Sequence, residues 1–284
     1  MRPFQPSSID MKAFDAELRA LRREIDGDLG ERDLAHLSKV ERFGRMATLV
    51  GLATAGLGPN PISMIALSLG RSARWILMHH IGHRGYDKVP GVAPKHTSRV
   101  FARGKRRFLD WNDWMIPEAW IYEHNVLHHS HLGEEIGPDL VERNLTEIRE
   151  GSWPMSLRYL VMAGFSVSWK PVYYAPNTLR VWRKRFPEGH SEARPERDAD
   201  MEAEALAQDG TTDVREAGGN ERELWLRCYL PYGAFHFVLL PALYAPLGPL
   251  ATLSAFVNSV GAELLANLHT FLVITPNHTG DDLY

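Results

Sequence analysis

Two clusters of histidine carry the clearest chemical potential in this chain. They occupy residues 79–83 and 124–131, and each contains two histidines spaced four residues apart. On a helix, residues at this spacing share one face, with Cβ atoms about 5–6 Å apart. Neutral imidazole is a common metal ligand and suits iron, zinc, copper and nickel. The clusters therefore predict a histidine-rich metal centre built from His79, His83, His124, His128 and His129.

The same residue types exclude several other kinds of site. The single cysteine, Cys228, rules out an internal disulfide framework and any cysteine-rich zinc or iron–sulfur site. Zinc hydrolases of the H-E-x-x-H type need a glutamate directly after the first histidine, where this chain has His80 and Asn125. The formal net charge of −3 gives no electrostatic signal for a nucleic-acid partner, and none is expected.

A few further polar residues are expected to support the metal ligands. His80 and His131 lie inside the clusters, and each is expected to orient a ligand or to add one. Asp139 is placed to accept a hydrogen bond from the second ring nitrogen of a ligating histidine, or else to be an ordinary loop acid. His269 lies in an apolar stretch, where a polar group tends to be functional. The remaining histidines are expected to be structural: His36, His96, His190 and His236.

Four apolar stretches are expected to position these residues. Residues 46–57 and 62–81 flank a Gly-Pro-Asn-Pro turn, and residues 229–246 and 250–275 flank a second turn. The region 229–275 contains one carboxylate, Glu263, and no lysine or arginine. A membrane-spanning helix needs about 20 apolar residues. The pattern predicts an all-α, multi-pass membrane protein with two transmembrane hairpins and a cytosolic histidine-rich cap, although the first hairpin also fits a buried pair in a soluble protein.

The predicted topology places both clusters on one side of the membrane. Two hairpins return the chain to the side on which it started, and residues 153–178 then lie along the interface. Basic residues at 71–74, 103–107 and 180–185 fall on the same side. The excess of lysine and arginine in cytoplasmic segments indicates that this side is cytoplasmic. We divide the chain into a charged helical segment (1–43) and a membrane domain (44–284).

The order of the histidines resembles that of the membrane-bound fatty acid desaturase and hydroxylase family. The first box of that family, H-x(3–4)-H, matches His79 and His83, and the second, H-x(2–3)-H-H, matches His124, His128 and His129. An isolated histidine after the last span, often in an Asn-His pair, matches His278. The resemblance covers about residues 44–284 and implies that these six histidines hold two non-haem iron ions. The third box, H-x-x-H-H, does not occur before Tyr284, so the resemblance predicts a chain truncated at its C-terminus.

The resemblance implies an O2-dependent desaturase that introduces a double bond into the acyl chain of a lipid or an acyl thioester. The expected partners are membrane lipids and an external electron donor of the ferredoxin or cytochrome type. Two alternatives stay open at this point. One is a hydroxylase or ketolase of the same superfamily, and the other is a catalytically incomplete fragment or a membrane metal-binding protein.

Overall fold

A computed structural model of the chain describes residues 10–129, 146–185 and 221–278, and these residues form helices joined by turns and loops, with no strand among them. This confirms the predicted all-α class. Short 3₁₀ turns lie at Pro94–His96, Gly104–Arg106 and Ala245–Leu247. The π-helical turns lie at Glu123–His128, Lys170–Tyr174, Trp225–Tyr229 and Ala234–Leu239. The helices are α1 (Met11–Asp28), α2 (Glu31–Ala55), α3 (Pro61–Gly82), α4 (Arg107–Asp110), α5 (Pro117–Tyr122), α6 (Thr146–Glu150), α7 (Met155–Ser166), α8 (Ala175–Arg185), α9 (Glu221–Leu247) and α10 (Pro249–His278).

Local sequence signals set the ends of the N-terminal helices. The Asp10 side chain caps α1 by accepting hydrogen bonds from the backbone of Lys12 and Ala13. Helix α3 begins with Asn60 as its cap and Pro61 in its first turn, where a missing N–H costs nothing. Leu29 and Gly30 separate α1 from α2. Helix α2 then continues across the division that we predict between residues 43 and 44.

Small residues allow α2 and α3 to pack closely as a hairpin. A Cβ atom added to Gly51 would lie 2.6 Å from Cγ of Leu67, and one added to Gly44 would lie 2.9 Å from Cβ of Ala73. A Cβ atom added to Gly70 of α3 would likewise overlap the side chain of Thr48 on α2. Close approach through small residues is a common way for helices to associate in membranes.

We expect Gly51→Val to destabilise the protein by about 1–3 kcal/mol, because the added side chain would overlap Leu67 and force the hairpin apart. Gly164→Ala is the matched control. Gly164 is also helical, but no atom lies within 4 Å of the position of an added Cβ, so alanine there should be neutral or slightly stabilising. Thermal unfolding in detergent compares the two variants, and equal midpoints would contradict the close packing described above.

The second predicted hairpin corresponds to α9 and α10. Within the described part of the chain, two helices are long and apolar enough to cross a membrane, Glu221–Leu247 and Pro249–Thr275. They meet at Gly248, whose positive φ of 104° makes the sharp turn, and Pro249 starts the next helix. The apolar side chains at this end are exposed: Leu247 is 73% exposed and Leu250 is 79% exposed. Helix α10 packs along α3, so the two hairpins share one interface.

Candidate metal centre

The two histidine clusters come together where α3 ends beside α5. His79 lies in the last turn of α3, and His83 caps that helix. The π-helical turn that continues α5 holds His124 and His128, and His129 follows it. Asn125 donates a hydrogen bond of 2.8 Å to the carbonyl of Gly82, which ties one cluster to the other.

Four imidazole Nε2 atoms converge in this space. Nε2 of His124 lies 3.1 Å from that of His79 and 3.0 Å from that of His83. Nε2 of His129 lies 3.3 Å from that of His83. A neutral imidazole nitrogen offers either one hydrogen or one lone pair. Hydrogen bonding alone therefore cannot satisfy every close pair around His124, whereas a cation facing all of the lone pairs would.

The nitrogen–nitrogen distances also fit a metal ion. Two imidazole nitrogens bonded to one ion at about 2.0–2.1 Å, with about 90–110° between the bonds, are about 2.8–3.4 Å apart. The observed separations of 3.0–3.3 Å fall in this range. The donor atoms form two groups, each within 4.8 Å, that share one histidine: His79, His83 and His124, and then His124, His128 and His129. The chain thus brings together all five histidines that the sequence predicts as ligands from the two clusters.

The π-helical turn explains why the second cluster has the spacing H-x-x-x-H-H. In an α-helix, residues four apart share a face, but the fifth has rotated by about 140° away from the first. A π-helix closes its hydrogen bonds over five residues, and here the N–H of His129 donates to the carbonyl of His124. The ring of His128 stacks on that of His124 at 5.0 Å, and His129 also stays close, with ring centroids 4.8 Å apart.

Two tryptophans form an apolar wall behind the cluster. The ring of Trp120 stacks on that of His124 with centroids 4.4 Å apart, and Trp75 meets His79 edge-on at 5.2 Å. Both indoles are buried, and they contact each other. An apolar shell of this kind limits the access of water to a metal site and so tunes its chemistry.

The environment of the cluster favours the neutral form of His83 and His124. Burial, followed by the neighbouring imidazole of His129, lowers the pKa of His83 to about 4. Burial and the imidazole of His79 lower the pKa of His124 as well. Metal ions bind only the neutral imidazole, so these shifts keep His83 and His124 available as ligands in mildly acidic solution.

We therefore expect metal loaded at neutral pH to be retained on dialysis at pH 6 and pH 5, and to be lost as the pH falls towards 4. A histidine at the ordinary pKa of about 6.5 would be half protonated near that pH and would begin to compete with the metal there. Metal content after dialysis at each pH measures the difference. Half-release near pH 6.5 would show that the ligands are not shielded as described.

Two of the other candidate residues, His80 and His269, lie in the described part of the structure but belong to neither group of donor atoms. The exposed His80 has its ring 6.2 Å from that of His79, and it belongs to neither group of converging donor atoms. Nδ1 of His269 lies 3.0 Å from Oγ of Ser72 and so connects α10 to α3. His131 and Asp139 lie outside the described residues. His278 ends helix α10, and its side chain lies outside the described part of the structure.

A buried charge network lies between the two hairpins. Glu263 of α10 forms an ion pair of 3.0 Å with Arg71 of α3, and both side chains are less than 10% exposed. The carboxylate also accepts hydrogen bonds from Trp114 (2.7 Å), Asn267 (2.7 Å) and the hydroxyl of Tyr232. Both oxygens of the Glu263 carboxylate therefore have hydrogen-bond or ion-pair partners.

A second buried ion pair adjoins the first. Nζ of Lys170 lies 3.3 Å from Oδ2 of Asp113, and both side chains are nearly inaccessible. The backbone N–H of Lys170 donates to Oδ1 of Asn267, the residue that also bonds Glu263.

The sequence does hold a signal for the ion pair of Glu263 and Arg71, because Glu263 is the lone carboxylate of residues 229–275 and Arg71 interrupts an apolar stretch. Asp113 and Lys170 give no comparable signal.

Comparison of the chain with protein-family models, with curated proteins and with solved structures gives no match. The interpretation of the histidine cluster as a metal centre therefore depends on the contacts and distances given above. These distances describe a site able to hold a transition-metal ion between two helix ends.

Proposed function

We propose that this protein is a membrane-bound, O2-dependent di-iron desaturase that introduces a double bond into a lipid acyl chain. The observation that carries the proposal is the convergence of five histidines, from clusters more than 40 residues apart, at donor spacings that suit metal ligation. In the proposed arrangement α2 and α3 cross the membrane as α9 and α10 do, and the histidines lie at its cytoplasmic face.

The proposed ligands are the five clustered histidines together with His278. Two iron ions held there would supply activation of O2 and removal of hydrogen from an unactivated C–H bond. Imidazole ligands suit iron as well as zinc and copper, so the identity of the metal is itself part of the proposal. The electrons would come from a separate ferredoxin- or cytochrome-type donor.

The residues around the ligands have defined roles in this proposal. Trp75 and Trp120 would keep bulk water from the reacting carbon, because their buried rings cover one side of the cluster. Asn125 holds the turn that carries His124 and His128 against the end of α3, at Gly82. This contact fixes the relative position of the two sets of ligands.

In the proposal, a cavity of about 220 Å³ receives part of the acyl chain. Its lining combines apolar residues, among them Leu52, Leu67 and Phe235, with charged ones, among them Arg71 and Asp113. Trp111 also lines it, and the ring of Trp111 lies 6.1 Å from that of Trp120, which in turn stacks on His124. Two tryptophans therefore lie between a chain in this cavity and His124.

Product analysis of the complete reading frame tests the proposal. The protein is expressed in a host that is fed a labelled saturated fatty acid, with a ferredoxin and its reductase, under ¹⁸O2. A labelled product with one double bond and no ¹⁸O is the expected result. A product that carries ¹⁸O would identify a hydroxylase or ketolase instead, and metal-loaded protein that gives neither product would favour a metal-binding role. The His128→Ala variant is the negative control.

A further inference from the structure

A second cavity lies between the first hairpin and the loop that follows it. Its volume is about 280 Å³, and we call it the basic cavity. Helix α2 contributes Glu41, Gly44 and Arg45, helix α3 contributes Arg74 and Leu77, and the rest comes from the segment 95–110. The charged lining consists of four cationic side chains and two carboxylates: Arg45, Arg74, Lys95, Arg106, Glu41 and Asp110.

The two carboxylates already have cationic partners. Glu41 pairs with Arg45 at 2.5 Å and lies 4.0 Å from Nζ of Lys95. Asp110 accepts two hydrogen bonds of 2.8 Å from the guanidinium of Arg106. Within residues 10–129, 146–185 and 221–278, Arg74 has no hydrogen-bond or ion-pair partner. The positive charge of Arg74 is therefore the one in this lining that the protein leaves without direct compensation.

The position of Arg74 makes this lack of a partner costly. The side chain is partly buried, and the guanidinium cannot lose its proton in a protein. The charged groups close enough to act on it are Arg45, Asp110 and Glu41, all of which line the basic cavity. A buried charge is normally paired, because its removal from water is otherwise uncompensated. An anion in the cavity would satisfy Arg74 and relieve its repulsion by Arg45.

We propose that the basic cavity binds a phosphoryl group, with Arg74 as its main contact. The planar fork of an arginine matches two oxygens of a phosphate. The lining has four cationic side chains and two carboxylates, and this excess of positive charge suits a divalent anion. The cavity volume of about 280 Å³ is smaller than a typical drug-sized site of at least about 300 Å³, so it fits a headgroup and not a whole lipid. Leu109, an apolar residue of the lining that is 73% exposed, suits a phosphate ester with an apolar body.

This site is separate from the metal ligands, and the proposal holds whatever the chemistry of the histidines. Two sources share the chemistry of a phosphoryl group: the headgroup of an anionic lipid and a soluble phosphate or phosphate ester. The test must distinguish them. Arg74 also lines the 220 Å³ cavity proposed for the acyl chain, so the effect of its substitution is measured by phosphoryl binding and not by activity.

Binding is measured on the complete protein with two probes. Inorganic phosphate is titrated into detergent-solubilised protein, and the thermal unfolding midpoint is compared in nanodiscs of phosphatidylcholine with and without phosphatidic acid. We expect phosphatidic acid to raise the midpoint of the wild-type protein, and Arg74→Gln to weaken phosphoryl binding at least tenfold. Arg74→Lys should bind with intermediate strength, because a lysine makes a single contact where the arginine makes two. Arg42→Gln, an exposed arginine on α2 outside the cavity, is the matched control.

The outcomes separate ligand binding from a structural role. A response to phosphatidic acid that depends on Arg74 supports a lipid headgroup, and a response to inorganic phosphate alone supports a soluble source. Without ligand, Arg74→Gln should unfold at the wild-type temperature or above it, because an unpaired charge has been removed. A destabilised Arg74→Gln protein, no response to either probe, or equal responses in the variant and the wild-type protein would overturn the proposal.

Discussion

Replacing His124 by alanine is expected to weaken metal binding at the whole cluster by at least ~100-fold, and to reduce product formation by at least as much. Loss of a residue that merely orients a ligand costs about 10–100-fold in metal affinity, and His124 is itself a ligand in this arrangement. It is the one histidine shared by both groups of donor atoms. Metal content after purification, measured by mass spectrometry, and product yield give two independent readouts.

His80→Ala is the matched control for this prediction. His80 is adjacent to His79, but its side chain is exposed and it belongs to neither group of donor atoms. The variant should therefore keep its metal and its activity. If His80→Ala lost metal as severely as His124→Ala, the five-histidine assignment would be wrong, because His80 would then also be a ligand.

Replacing Glu263 by alanine is expected to destabilise the protein by about 3–5 kcal/mol, the range seen when one partner of a buried ion pair is removed. Arg71 would be left with less than a tenth of its side chain exposed and without its carboxylate. The hydrogen bonds from Trp114 and Asn267 would be lost at the same time. Thermal unfolding in detergent should show a large drop in the midpoint.

Glu223 provides the contrast. It also pairs with two arginines, Arg183 and Arg227, but its side chain is 27% exposed. Water screens such a pair, so Glu223→Ala should cost no more than about 1 kcal/mol. Glu263→Gln keeps the shape and part of the hydrogen bonding, so its stability should lie between those of the wild-type protein and Glu263→Ala. Equal effects at Glu223 and Glu263 would mean that the buried network contributes little to stability.

The sequence is informative about the metal ligands because their spacing is local. His79 and His83 are four residues apart, as are His124 and His128, and helical geometry alone brings each pair together. That the two pairs meet depends on long-range packing, such as the bond from Asn125 to Gly82. The proximity of the pairs follows from the sequence only if one assumes that they share a site.

The pairing of the buried charges was harder to predict, since it joins residues far apart in the chain. Arg71 and Glu263 are separated by 192 positions, and Asp113 and Lys170 by 57. Composition identifies Glu263 as unusual, but it does not select its partner. The last two apolar stretches, in contrast, could be placed from hydropathy alone, because a helix of apolar residues needs no partner to be recognised.

The π-helical turn at Glu123–His128 has a consequence for how this site could be gained or lost. Turns of this kind occur mostly as single wide turns within α-helices, frequently at functional sites. Deleting Val126 would let α5 continue as a regular α-helix, with every backbone hydrogen bond formed over four residues. After the deletion, His124, His128 and His129 would have the spacing i, i+3 and i+4, which a regular α-helix also places on one face. Two backbone forms, a π-helical turn with the extra residue and an α-helical turn without it, can therefore present the same three imidazoles, so a one-residue change in length at this turn need not abolish the metal site.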